Sequence, residues 1–114
     1  MPRGMKMGMG GRMMGPMMDP RSRFFMALAS DQRIKILELL KEAEKSSAEI
    51  IQALELDASV ISRHLMMLRN VGLAAARKQG VALYFSIADD RVFKIVDLAT
   101  AVIKDWFDQH RAFF

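Results

Sequence analysis

The side chains best equipped to act on another molecule are concentrated in one run of the chain. Between Ala58 and Ala88 it carries Arg63, Arg69, Arg77 and Lys78 and no acid, whereas Asp31 to Asp57 holds seven acids against Arg33, Lys35, Lys41 and Lys45. Keeping acids out of a continuous segment is what a surface facing phosphates requires, because each uncompensated acid repels a polyanion. Ser59 and Ser62 stand beside Arg63 and add short hydrogen-bonding groups. A guanidinium in that setting can donate two parallel bonds to a guanine edge or bond a backbone phosphate. Catalytic chemistry has no comparable support. The two histidines, His64 and His110, fall on separate expected helices, and no nucleophile, base and acid come together, so the chain does not read as an enzyme. With no cysteine there is no disulfide, thiolate metal site or thiol switch, which fits a reducing, cytoplasmic setting.

A second set of possible ligands lies at the N-terminus. Met5, Met7 and Met9 alternate, and Met13, Met14, Met17 and Met18 follow, so several thioethers can surround one soft cation such as Cu(I). No cysteine or histidine reinforces them, and the favoured reading is a basic extension in which Arg3, Lys6, Arg12, Arg21 and Arg23 add nonspecific attraction to nucleic acid. The expectation is therefore no metal and no cofactor. Residues 1–23 hold most of the methionines, five of the seven glycines and all three prolines, a composition that reads as a mobile tail before an ordered domain at 24–114.

The elements that must hold the basic run in place follow from apolar spacing. The 114 residues suffice for a single core, and charges interrupt every apolar run before it reaches membrane-spanning length. Phe24 to Ala29 reads as a short apolar helix, buried in the core or against another subunit, and Ser30 as the N-cap of a helix with Ile34, Ile36, Leu37, Leu40 and Ala43 on one face. Ser46 and Glu49 form a capping-box pattern that opens a short helix with Ile50, Ile51 and Leu54 inward. Asp57 then caps a helix running to about Asn70. Its inward stripe of Ile61, Leu65 and Leu68 turns Ser59, Ser62, Arg63 and Met66 outward. Leu73 to Lys78 and Val81 to Ile87 are β-prone runs joined by Gln79 and Gly80, a hairpin with a basic tip. In the last segment Val92, Val96, Ala99, Ile103 and Trp106 recur at four, three, four and three residues, a seam suited to pairing with a second copy.

That order of elements, mostly α with a small β-hairpin wing, is a winged helix-turn-helix with a C-terminal dimerisation helix. The stretch Leu28-Ala-Ser-Asp-Gln-Arg-Ile-Lys-Ile-Leu-Glu-Leu-Leu40 resembles the opening signature of the ArsR/SmtB regulators. Val60-Ile-Ser-Arg-His-Leu, with Leu68 beyond, resembles their recognition helix. The resemblance implies a homodimeric repressor that binds double-stranded DNA; no membrane segment is expected, and the residues identify no inducing signal. The resemblance places Ala58, Ser59, Ser62 and Arg63 in the major groove, His64 as a packed or phosphate-facing histidine of the same helix, Arg77 and Lys78 on a wing that meets phosphates or enters a minor groove, and Arg69 as a further phosphate contact. Phe24 and Phe25 join the terminal seam at the dimer contact. The chain departs from the family in two ways: Glu55 stands where a turn glycine is common, and the cysteine and Asp/His metal sites of many members are missing. Two further readings remain, a Cu(I)-responsive regulator using the methionine tail and a dimeric module that binds proteins.

Overall fold

The computed structural model describes residues 18–110, so the methionines up to Met17, and with them the Cu(I) reading, lie outside the described residues. Five helices and three strands follow one another as α1 (Pro20–Leu28), α2 (Asp31–Glu42), β1 (Lys45–Ser46), α3 (Ser47–Leu54), α4 (Ala58–Asn70), β2 (Ala74–Gln79), β3 (Ala82–Ile87) and α5 (Arg91–His110). The winged helix-turn-helix is the observed architecture.

The first helix begins four residues earlier than its apolar run suggests. Asp19 accepts a hydrogen bond from the Arg21 amide at 2.8 Å. Pro20 follows at the first helical position, where its fixed φ suits the helix and its missing amide costs nothing. A proline that reads as a breaker is here a helix starter, and Arg21 and Arg23 belong to α1.

The core is the convergence of the expected stripes. Ile36, Leu37 and Leu40 of α2, Ile50 of α3, Ile61, Leu65 and Leu68 of α4, Leu73, Ala74, Phe85 of β3 and Val92 of α5 form one buried cluster. Each large side chain in it contributes on the order of 1.5–3 kcal/mol by leaving water. The capping box forms as its residues predict: the Glu49 amide donates to Ser46 Oγ at 3.1 Å and the Ser46 amide to Glu49 Oε1 at 2.8 Å.

The sheet has one strand more than the hairpin. β1 pairs antiparallel with β3, Lys45 opposite Phe85 and Ser46 opposite Tyr84, giving the order β1-β3-β2. Two residues are too few to show a period, which is why sequence patterning passes over them. The hairpin turn also shifts by one residue. Gln79 pairs with Ala82, so the two-residue loop is Gly80-Val81, with Gly80 at φ +61 in the first loop position that favours glycine.

Glu55 ends α3 at φ 55 and ψ 41, the left-handed conformation in which a side chain is disfavoured. The turn between α3 and α4 thus keeps the geometry a glycine would adopt, at the expense of local strain. Glu55→Gly is expected to stabilise the fold by about 0.5–1 kcal/mol, the relieved strain less the added freedom of the unfolded chain. Urea unfolding reads this as a higher midpoint; a lower one would mean the glutamate side chain contributes more than its backbone costs.

Candidate nucleic-acid interface

The face of α4 opposite the buried stripe carries the sequence-predicted residues. Ala58, Ser59, Ser62 and Arg63 are all exposed there, while Ile61, Leu65 and Leu68 anchor the helix from beneath. Neither Arg63 nor the two serines has a hydrogen-bond or ion-pair partner among the described residues. Their donors are free to meet a ligand. Met66 belongs to the same face, one helical turn beyond Ser62 and Arg63, and is 59% exposed. Asp57 takes the N-cap position with extended backbone, but its carboxylate makes no cap bond.

The wing differs from its sequence reading. Arg77 lies within β2, and its guanidinium donates to Glu44 from Nη2 at 2.7 Å and from Nε at 2.8 Å. Nη1 donates to Gln79 Oε1 at 2.8 Å, and the guanidinium carbon sits 4.8 Å from the centre of the Tyr84 ring. The paired guanidinium holds the Glu44 carboxyl below the usual carboxylate range, and the carboxylate in turn raises the Arg77 pKa. Arg77 is therefore ion-paired within the chain at an exposed site, while exposed Lys78 pairs with no described residue. Nothing local in the sequence signals a partner for Arg77 that lies 33 residues away.

His64 is packed against a second cation. It is only half-buried, and Nδ1 lies 3.0 Å from Arg33 Nη1. Burial, then the charges of Arg33 and Arg63, push its pKa below the ordinary histidine value, so near neutrality it is not a phosphate-binding cation. Arg69 is exposed at the far end of α4, where it lines a shallow polar groove with Met66, Asn70 and Ala74–Ala76, away from the first turns of the helix.

Residues 30–76, the span from the cap of α2 into β2, match the bacterial regulatory protein arsR family. A probable mercury resistance operon repressor of Streptomyces lividans is 36% identical over 87 residues, spanning 76% of this chain and 70% of that protein. The chain belongs to the arsR family. Among solved structures similar to this arsR-family chain, Rv0081 of Mycobacterium tuberculosis superposes with a TM-score of 0.70 at 34% identity, covering 79% of this chain and 91% of that one. A winged helix-turn-helix DNA-binding domain from Mycobacterium bovis, described as homodimeric, gives 0.69 at 29% identity over 91% and 95% of the two chains.

In this arsR-family chain the terminal helix divides its apolar residues between two duties. Val92, read from sequence as part of the intersubunit seam, is 1% exposed and sits in the chain's own core, because the first turn of α5 lies against the body of the domain. Phe24 and Val96 are partly buried against that core. Beyond them α5 leaves the domain: Ala99 is exposed, Ile103 is 55% and Trp106 46% exposed, and Leu98, Val102 and Phe107, which the strict seam omits, are exposed too. Phe25 is exposed and joins Ile95, Ala99 and Ile103 along a groove of about 260 Å³ between α1 and α5. His110 stacks on Trp106 at 4.5 Å between ring centres, and its Nδ1 lies 2.8 Å from the Trp106 carbonyl oxygen. Among the described residues, no three His, Asp or Glu side chains gather as a metal site, and no helix is long and apolar enough to cross a membrane.

The Glu44–Arg77 pair lends itself to a direct test. Glu44→Gln removes the carboxylate that pairs with Arg77 and one negative charge beside the wing. Duplex affinity is expected to rise, with the salt dependence steepening by about one counterion. A salt titration that leaves slope and affinity unchanged would show that Arg77 stays remote from the phosphates.

Proposed function

We propose that the protein is a dimeric, sequence-specific regulator of transcription that binds double-stranded DNA and acts as a repressor in the cytoplasm. The observation that carries the reading is the exposed face of α4, where Ser59, Ser62 and Arg63 project without partners from a segment free of acids. Family membership supports the same reading, as does the homodimeric description of the Mycobacterium bovis domain. In the complex the first turns of α4 enter the major groove, Arg63 reads a base edge, Lys78 meets a phosphate, and the exposed part of α5 pairs with its copy.

Membership of a family of transcriptional regulators supports reading the chain as a binding protein rather than an enzyme. The similar proteins include a mercury resistance repressor and a cadmium resistance regulator from Staphylococcus aureus. The sequence has no cysteine to offer as a thiolate ligand, and the proposed function names no metal.

Fluorescence anisotropy with duplex DNA across a salt series tests the proposal. The expected result is a complex that weakens steeply as salt rises and prefers a site with two half-sites about one helical turn apart. Absence of salt-dependent duplex affinity in a chain that still dimerises would instead favour the protein-binding module.

A further inference from the structure

Arg33 makes more contacts than a structural arginine on the second helix needs. Its backbone amide is capped by Ser30 Oγ at 3.3 Å. Its guanidinium donates from Nε to the Ala27 carbonyl at 2.7 Å and from Nη2 to the Met26 carbonyl at 3.1 Å. Those carbonyls belong to the last turn of α1, where a cation is favoured, and that of Met26 also accepts from the Ala29 amide at 3.1 Å. The remaining nitrogen, Nη1, reaches across to Nδ1 of His64 on α4 at 3.0 Å. One planar side chain thus ties the end of α1 to the proposed recognition helix.

The contact also decides the state of the imidazole. A guanidinium can only donate, so Nδ1 must accept, and the neutral ring carries its proton on Nε2. Among the described residues the only buried side-chain nitrogen or oxygen without a partner is Nε of Arg23, so Nε2 of His64, which bonds to none of those residues, reaches the surface they form. The ring follows Arg63 directly in α4, the helix proposed to meet DNA, whose flanking donors in such complexes bond the DNA backbone.

We propose that Arg33 is a positioning residue for DNA recognition: it locks α4 to the end of α1 and holds Nε2 of His64 as a donor to a backbone phosphate. The proposal rests on the DNA-binding reading above. Protonating Nδ1 removes the acceptor and sets an imidazolium against two guanidiniums, Arg33 from α2 and Arg63 from its own helix, while the α1 groups that Arg33 bonds are backbone carbonyls. Acid therefore loosens the tie. This consequence opposes simple electrostatics, in which an added positive charge at the interface strengthens binding to DNA.

The test is duplex anisotropy at constant ionic strength for the intact protein and for His64→Asn, whose amide oxygen can still accept from Arg33, with circular dichroism monitoring the fold. As the pH falls below the His64 pKa, which lies under the ordinary histidine value, the wild type is expected to lose affinity by up to about tenfold, the loss of one charge-assisted contact. His64→Asn is expected to bind about fivefold more weakly at pH 8, for want of the Nε2 donor, and to lose no affinity on acidification. Arg33→Lys, which keeps the charge but cannot bridge three acceptors, is expected to bind about tenfold more weakly at pH 8 while remaining dimeric. Wild-type binding that tightens in acid, or that follows the same pH profile as His64→Asn, overturns the proposal, as does an Arg33→Lys variant that binds like wild type. A wild type with no duplex affinity at pH 8 fails earlier, on the DNA-binding reading itself.

Discussion

Ile103→Asp is expected to convert the protein to monomers and to weaken binding to a two-half-site duplex by about a hundredfold or more, since each half-site then has to be held alone. The side chain is 55% exposed on the single chain, at the end of the groove between α1 and α5, so the change costs the isolated fold little. In the proposed dimer the same position faces apolar side chains of a second copy, and an unpaired carboxylate there would carry a large desolvation cost. Sedimentation equilibrium reads the assembly and anisotropy the affinity. A variant that still sediments as a dimer would move the interface away from the exposed half of α5, most plainly to the Leu98 and Val102 side, which is more exposed than the strict seam.

Arg63→Ala is expected to leave folding and dimerisation unchanged, because the guanidinium bonds to no described residue, and yet to cost about 1–3 kcal/mol against the preferred duplex. The same change is expected to bring preferred and scrambled sequences closer in affinity. Lys78→Ala supplies the contrast. Removing a phosphate contact lowers affinity for all sequences alike and reduces the salt slope by about one. Competition experiments with matched and scrambled duplexes separate the two patterns. If Arg63→Ala weakens both equally and flattens the salt dependence, Arg63 is a phosphate ligand, and base reading falls to Ser59, Ser62 and Met66.

The two histidines show how far local reading carries. His110 occurs at the end of the most regular helix in the chain, and its stacking on Trp106 four residues earlier follows from helical spacing alone. His64 lies on an equally regular helix, but its state is decided by Arg33, 31 residues away. No local pattern connects them. The resemblance of both segments to one family pointed to the fold without indicating that the two side chains touch.

Elements with a strong period were legible in the order of residues: the buried stripes of α2 and α4, the capping box at Ser46 and Glu49, the hairpin, and an acid-free run opposite an apolar stripe. Each rests on interactions within a few residues or on a repeat that one helix or strand must satisfy. Tertiary structure decided the rest. It buried Val92 in the core while leaving Ile103 and Trp106 outside, because a helix twenty residues long reaches past a domain that can cover only its first turns. Packing paired Arg77 with Glu44, bridged Arg33 to His64, and added the two residues of β1 to the sheet, all contacts between segments whose separation in sequence hides them. Charge and periodicity identify which surface meets a ligand. Which of its cations are free to do so depends on partners that only the fold brings within a few ångströms.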